Sequence, residues 1–149
     1  MDAADKTILD LLQRDATLAL SEIAARVHLS STACWKRIQK LEAAGVIGKR
    51  VALLDAARLN VGVTVFVAIK TNQHNAAWLE RFAKVVAAIP EVVEFYRLSG
   101  DTDYLMKVLV RDIAAYDAFY KKLIATVPLS DVSSAFAMEQ IKSTTALPV

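Results

Sequence analysis

The sequence predicts an α+β protein with an amino-terminal helix-turn-helix domain of the winged-helix type and a carboxy-terminal ferredoxin-like βαββαβ domain. Two observations predict this division. Apolar residues recur at helical spacing as far as residue 47, whereas from residue 51 short β-like runs alternate with two helical segments. We therefore assign residues 1–50 to the helix-turn-helix domain, residues 51–62 to a linker strand and turn, and residues 63–149 to the second domain.

The composition predicts a protein whose apolar surface is covered by a subunit interface rather than by a membrane. Of the 149 residues, 55% are hydrophobic, and the mean hydropathy is +0.35. A chain of this size cannot bury so much apolar surface alone, so we expect a subunit interface. No apolar run approaches the roughly 20 residues of a membrane helix. The acidic start MDAADKTILD lacks the pattern of a signal peptide, and the single Cys34 fits a reducing compartment, so we expect a cytoplasmic protein.

Three short helices are expected in the first domain. Asp5 is a suitable N-cap for a first helix, because the apolar residues Ile8, Leu9 and Leu12 follow it at helical spacing. Ser21 is expected to cap the second helix. The first helix would brace the second and third, which form a pair on either side of a turn.

The third predicted helix follows a tight turn at residues 28–30. Ser30 or Ser31 is its expected cap, and Gly45 is its expected end. Its buried face is predicted by the i, i+4, i+7 spacing of Cys34, Ile38 and Leu41. Helix, tight turn and helix together predict a helix-turn-helix motif at about residues 21–40.

The second domain is predicted from a change of hydrophobic period. Strands are expected at residues 51–54, 61–71, 92–98, 104–110 and 131–141, and helices are expected at residues 75–89 and 113–127. The strand at 61–71 is apolar on both faces, where Phe66 and Ala68 alternate with valines. Helices cover only one face of such a sheet, so we expect a second copy of the chain to cover the other.

The charge pattern of the third helix predicts a surface that binds nucleic acid. Residues 33–50 contain five cations and one anion, whereas the net charge of the chain is only +2. Hydroxyl groups at the positive end of a helix, followed by cations, suit the phosphates of double-stranded DNA. The alternative is an ordinary helical bundle with capped helices and exposed lysines. The predicted DNA-binding residues are Ser30, Ser31, Thr32, Lys36, Arg37 and Lys40.

Beyond these patterns, the chain resembles a known family along nearly its whole length. The matching segments are LDLLQRDATLALSEIAARVHLSSTACWKRIQKLEAAGVI, EVVEFYRLSGDTDYLMKVLVRD and the tail IKSTTALPV. They resemble the Lrp/AsnC (feast/famine) transcriptional regulators, and CWKR with SSAFAMEQIKSTTALP is similar to the cysteine-responsive, DecR-like branch. The resemblance implies transcription regulation by a homo-oligomer, which assembles as a dimer and then as a tetramer or octamer of dimers.

The resemblance also implies an effector site for a small amino acid, with cysteine as the candidate, between adjacent dimers. The SGDTDY hairpin would form one wall, and a strand of a neighbouring copy would form the second. From the residues alone, ordinary turn chemistry is the better explanation of this hairpin, and only the resemblance favours an effector site. The implied effector-binding residues are Leu98, Gly100, Asp101, Thr102, Asp103 and Tyr104, and from the neighbour Ser133, Ser134, Ala135 and Phe136.

Other kinds of site are not expected. His28 and His74 have no further ligand at metal-binding spacing, and a cysteine on the inner face of a helix, as Cys34 is, is normally a buried apolar residue. We expect no metal, no cofactor and no catalytic group. Two alternatives stay open: a small-molecule enzyme of the dimeric ferredoxin-like type, and an architectural DNA-binding protein without an effector.

Overall fold

The computed structural model describes residues 1–73, 75–126 and 128–149, and it divides into two compact units. The amino-terminal unit consists of Met1–Leu53 together with Ile141–Val149. The α+β unit consists of Leu54–Gln140. The last nine residues, which the sequence placed with the second domain, are grouped by their contacts with the amino-terminal unit.

Three helices form the amino-terminal unit. They are α1 (Ala3–Arg14), α2 (Leu20–Arg26) and α3 (Ser31–Ala43). Their inner faces meet in one apolar core that consists of Ile8, Leu9, Ile23, Ala24, Cys34, Ile38 and Leu41. The predicted buried face of α3 is confirmed. Cys34 has no exposed surface, and burial raises the pKa of its thiol, so it packs as a small apolar side chain.

The predicted caps of the first two helices are wrong. Helix α1 begins earlier than predicted because Asp2 is its N-cap, and Asp5 is the third helical residue, whose side chain accepts a hydrogen bond from the Asp2 N–H. This reciprocal arrangement is a capping box. Helix α2 has Ala19 at its N-cap, without a side-chain hydrogen bond, and Ser21 lies inside the helix. Apolar packing therefore outweighs capping at α2.

Helix α3 begins and ends as predicted. Its N-cap, Ser30, accepts a hydrogen bond from the Ala33 N–H at 3.2 Å. At the other end, Gly45 adopts a φ of 71°, and the Val46 N–H donates to the carbonyl of Leu41. This is a Schellman motif, which requires the left-handed conformation that glycine adopts at little cost.

The predicted strand at residues 51–54 is not formed. These residues have no regular secondary structure, and the side chain of Leu53 is 73% exposed. A strand needs a neighbour for its backbone hydrogen bonds, and no described segment of this chain pairs with residues 51–54. Local sequence preference alone cannot supply that neighbour.

The α+β unit has the predicted order of strands and helices. Its elements are β1 (Val63–Lys70), α4 (Ala76–Ala87), β2 (Val92–Arg97), β3 (Tyr104–Val110), α5 (Ile113–Thr126) and β4 (Asp131–Phe136). Most boundaries lie within about two residues of the prediction, but β4 ends at Phe136 rather than at residue 141. Residue 127, the predicted end of the second helix, and His74 lie outside the described residues.

The four strands form one antiparallel sheet in the order β2-β3-β1-β4. This is the strand order of the ferredoxin-like fold, and the predicted fold class is confirmed. Helices α4 and α5 pack on one face, where Val65, Val67 and Ile69 of β1 have no exposed surface. The opposite face carries Phe66, which is 40% exposed. We call this second surface the open face of the sheet.

Candidate nucleic-acid interface and ligand site

Five of the six predicted DNA-binding residues lie exposed along one helix. Ser30, Ser31 and Thr32 lie at the start of α3, and Lys36 and Lys40 follow one turn apart on its surface. The first backbone N–H groups of a helix have no carbonyl partner within it, and the helix dipole makes this end positive. The arrangement provides hydroxyl groups, free N–H groups and two ammonium groups on one solvent-facing surface.

Arg37, the sixth predicted residue, is already paired inside the unit. Its Nη1 donates hydrogen bonds to Asp2 Oδ2 at 2.7 Å and to Asp5 Oδ1 at 2.8 Å. The Arg37 side chain is 34% exposed, and the Asp5 side chain is only 18% exposed. The hydrogen bond from Arg37 holds the pKa of the Asp5 carboxyl below its usual value. No local pattern signals this pairing, since the partners lie at the start of α1, far from Arg37 in the sequence.

The other cations in or near α3 also differ in whether they pair with an acidic residue. Arg50 forms a salt bridge with Glu42 at 3.1 Å. Lys36 and Lys40 form no salt bridge with any residue that the structure describes. The two lysines are therefore the cations of α3 that remain available to an external anion.

The predicted effector hairpin connects β2 to β3. The Leu98 N–H donates to the carbonyl of Asp103 at 2.8 Å, and Gly100 has a φ of 126°, which favours glycine. Asp103 also ties the hairpin to the end of β1. Its N–H donates to the carbonyl of Ile69 at 3.0 Å, and its Oδ2 accepts from the Thr71 N–H at 2.8 Å.

Tyr104, which was also predicted to line the effector site, lies in the core instead. It is only 5% exposed, and its ring centroid lies 5.2 Å from that of Phe82 and 5.7 Å from that of Phe95. The ring therefore packs among the core aromatic residues beneath the hairpin. The other predicted hairpin residues, including Asp101 and Thr102, lie nearer the surface.

The predicted second wall, residues 133–136, does not form one surface. Strand register places Ser133 and Ala135 on the open face, opposite Ala68 and Phe66. Ser134 and Phe136 lie on the helix side. The side chains of these four residues therefore divide between the two faces of the sheet, because successive side chains of a strand point to opposite faces.

Ser134 and Phe136, the two residues on the helix side, both contact α5. The Ser134 hydroxyl is hydrogen-bonded to the hydroxyl of Tyr116, and the Phe136 ring packs edge-on against the Tyr116 ring with centroids 5.1 Å apart. Burial raises the pKa of the Tyr116 hydroxyl. Within one chain, these residues do not meet the hairpin, since Phe136 pairs with Val65 whereas Tyr104 pairs with Ile69.

Two family descriptions match the chain. The AsnC-type helix-turn-helix domain matches residues 1–42, and the Lrp/AsnC ligand binding domain matches residues 64–147. The chain belongs to the Lrp/AsnC family. The resemblance seen in the sequence is confirmed, and α2 and α3 are the helix-turn-helix of this Lrp/AsnC protein.

Similar proteins agree with this assignment. The DNA-binding transcriptional activator DecR of Escherichia coli is 51% identical over 150 residues, which cover 100% of this chain and 99% of DecR. The crystal structure of an AsnC family transcriptional regulator from Agrobacterium tumefaciens is 61% identical, with a TM-score of 0.96, and the match covers 99% of this chain and 97% of that one. This Lrp/AsnC protein is a DNA-binding transcriptional regulator and, as predicted, not an enzyme.

A third similar protein has a ligand in its structure. It is a transcriptional regulator from Neisseria meningitidis in complex with L-Met, which is 34% identical with a TM-score of 0.94, and the match covers 99% of this chain and 96% of that one. The DecR-like resemblance noted in the sequence is also supported by the high identity to DecR itself.

Sequence reasoning missed a cavity in the amino-terminal unit of this Lrp/AsnC regulator. It has a volume of about 600 Å³ and lies between α1, residues 46–53 and the carboxy-terminal tail. The Gln13 side chain holds the tail there: its Nε2 donates to the Leu147 carbonyl at 2.9 Å, and its Oε1 accepts from the Leu147 N–H at 2.8 Å. This cavity is not at the predicted effector hairpin, and its lining is mainly apolar.

Two further findings concern the described residues as a whole. No three His, Cys, Asp or Glu side chains within them come together as a metal site would require. In the same ranges, no helix combines the length and apolar character that a membrane crossing would need.

Proposed function

We propose that this Lrp/AsnC regulator reads DNA with α3 and senses a small amino acid at the hairpin between β2 and β3. Lys36 and Lys40 would meet phosphates, while the start of α3 would hold a further phosphate through Ser31 and Thr32. The protein would act in the cytoplasm, where its DNA is found.

The position of the Asp103 carboxylate is the observation that carries the ligand proposal. Oδ2 accepts the Thr71 N–H at 2.8 Å, which fixes the carboxylate at the end of the sheet. The other oxygen, Oδ1, accepts no hydrogen bond from the residues that the structure describes. It can therefore hold the ammonium group of an amino acid, while the backbone N–H groups around Gly100 to Thr102 and the hydroxyl of Thr102 suit the ligand carboxylate.

The class of ligand is supported by the Neisseria relative, whose structure contains L-Met. For the identity of the side chain, the DecR-like resemblance favours cysteine. Tyr104 is packed in the core, so the size of the ligand side chain would be limited by groups other than its ring. Of the two serines in the predicted second wall, Ser134 is hydrogen-bonded to the Tyr116 hydroxyl. The hydroxyl of Ser133, on the open face of the sheet, is not bonded to Tyr116.

Assembly is the second half of the proposal. Phe66 and Tyr96 leave apolar surface on the open face of the sheet, and they are 40% and 50% exposed. A second copy packed face to face would bury it, and a stable interface of this kind buries roughly 1,200–2,000 Å² in total. Pairs would assemble further into a tetramer or an octamer of dimers. A ligand that binds one arrangement better would favour it and so change the spacing of the DNA-binding units.

Thermal unfolding in the presence of each of the twenty amino acids tests the ligand site. A ligand at 100 times its dissociation constant should raise the free energy of unfolding by about 2.7 kcal/mol. The informative variant is Asp103→Asn, because an asparagine oxygen can still accept the Thr71 N–H while the charge for the ammonium is lost. Glu80→Gln, which removes one exposed carboxylate from α4, away from the hairpin, is the matched control.

We expect Asp103→Asn to remove the stabilisation by the amino acid and Glu80→Gln to keep it, with DNA binding intact in both. Equal stabilisation of wild type and Asp103→Asn would place the ligand elsewhere. If none of the twenty amino acids stabilises the wild type, the alternative of an architectural DNA-binding protein without an effector is favoured instead.

A further inference from the structure

Three charged side chains form a closed network between α1 and α3, which we call the Arg37 clasp. It consists of Arg37, Asp2 and Asp5. One oxygen of each carboxylate belongs to the capping box, where Asp2 Oδ1 accepts the Asp5 N–H at 2.9 Å and Asp5 Oδ2 accepts the Asp2 N–H at 3.1 Å. The other oxygen of each accepts a hydrogen bond from Arg37 Nη1. All four carboxylate oxygens are thereby used.

The clasp makes Arg37 a poor phosphate ligand. A phosphate that took the guanidinium would have to replace two carboxylates, and both of them stay nearby as negative charges that repel it. The Arg37 hydrogen bonds, together with those of the capping box, lower the pKa of both carboxyls, so both stay ionised near neutral pH. Lys36, the preceding residue, is exposed and carries no such partner among the described residues.

The clasp also gives the contact between α1 and α3 a fixed direction, which the apolar core does not. Helices α1 and α3 pack through Ile8, Leu9 and Ile38, and apolar contacts of this kind are not directional. A hydrogen-bonded ion pair fixes distance and angle, which limits rotation of α3 about its own axis. Such a rotation would shift the surface of α3 relative to the base edges, whereas the long, flexible side chains of Lys36 and Lys40 would still reach phosphates.

We propose that Arg37 is a positioning residue, which orients α3 for reading base edges by holding the capping box of α1, and does not itself neutralise a phosphate. The proposal deepens the proposed function, since it rests on α3 being the reading helix. It assigns Asp2 and Asp5, which lie outside the helix-turn-helix motif, a part in DNA specificity.

The experiment compares two loss-of-charge variants of the clasp with a control on the same helix. The variants are Arg37→Gln and Asp5→Asn, and the control is Lys36→Gln. Each full-length protein is titrated onto a duplex selected from a random library by the wild type, and onto mixed-sequence DNA, across a salt series well below its melting temperature. Circular dichroism verifies that each variant is folded.

If Arg37 positions α3, Arg37→Gln and Asp5→Asn should each weaken binding to the selected duplex by about tenfold. This is the size of effect expected when base readout is lost at one position. Binding to mixed-sequence DNA and the slope of log K against log salt should stay unchanged. Lys36→Gln should behave differently: it should lower the slope by about 0.9 and weaken binding to both DNAs equally. The double variant Arg37→Gln/Asp5→Asn should be no worse than either single one, because both remove the same interaction.

Three results would overturn the inference or its basis. If Arg37→Gln lowers the salt slope as Lys36→Gln does, and Asp5→Asn strengthens binding, Arg37 contacts a phosphate. If both clasp variants lower the melting temperature but bind the selected duplex as the wild type does, the clasp contributes to stability alone. If Lys36→Gln and the clasp variants all bind like the wild type, α3 is not the reading helix, and the proposed function fails together with the inference.

Discussion

Replacing Lys36 and Lys40 together by glutamine tests the proposed DNA-binding surface most directly. Both side chains are exposed, lie one turn apart on α3 and form no salt bridge with described residues, so the exchange disturbs little else. Glutamine has nearly the helix propensity of lysine, and helix α3 should therefore persist. The melting temperature should stay close to that of the wild type.

The magnitude follows from counterion release. Each lost phosphate contact lowers the slope of log K against log salt by about 0.9, so the double variant should lose about 1.8 per bound protomer. Between about 50 and about 200 mM salt, one contact changes the affinity about 3.5-fold, and two change it about 12-fold. A dimer bound to two half-sites would show the square of that factor.

Fluorescence anisotropy of a labelled duplex across the salt series measures this slope. The matched control is Lys84→Gln/Lys122→Gln in the α+β unit, which removes the same net charge from two exposed lysines of other helices. We expect the control to keep the wild-type slope. An unchanged slope in the α3 variant would refute the assignment, and an equal fall in both variants would show that only net charge matters.

Three further predictions concern assembly, acid and the tail. Phe66→Glu places a charge on the open face of the sheet, and burying that charge in an interface would be costly. The variant should therefore sediment as a monomer where the wild type sediments as a dimer. A wild type that itself sediments at 16.3 kDa would contradict the proposed dimer. The pKa values of Asp2 and Asp5 are lowered in the folded state, so their ionised carboxylates stabilise the fold above about pH 4. This stabilisation is lost as the pH falls through the lowered pKa values. Melting temperatures measured down to about pH 2 should therefore fall more steeply for the wild type than for Asp5→Asn. Gln13→Ala removes both hydrogen bonds to Leu147 and should speed digestion of the tail by carboxypeptidase, whereas an unchanged rate would mean that the side chain does not hold the tail.

Local patterns predicted α3 well, because its determinants lie within a few residues of one another. The cap at Ser30, the buried spacing of Cys34, Ile38 and Leu41, and the glycine end at Gly45 are all confirmed. The charged surface of α3 was predicted less well. Counting charges along the helix could not show that Arg37 pairs with residues 32 and 35 positions earlier in the chain.

The strand expected at residues 51–54 was wrong because it depended on a partner strand, which local sequence does not specify. The second wall at residues 133–136 stays a prediction, and the period-2 alternation of a strand divides it: Ser133 and Ala135 lie on one face, and Ser134 and Phe136 on the other. Asp103, by contrast, was predicted to be a polar ligand, and the structure adds its hydrogen bond to Thr71, which no sequence pattern indicates.

The attachment of the tail to α1 is weak enough to be reversible. The two hydrogen bonds between Gln13 and Leu147 lie at the surface and contribute about 0.5–1.5 kcal/mol each. Leu147 is 70% exposed, so apolar burial adds little. The free energy that couples two sites in an allosteric protein is typically about 1–3 kcal/mol, the same size as this attachment. The tail begins at Ile141, directly after the last residue of the α+β unit, and it ends on α1, which also holds α3 through the Arg37 clasp. An attachment of this size would be seated or released by a coupling energy of that order, so DNA-binding experiments on this protein should include residues 141–149 and not residues 1–53 alone.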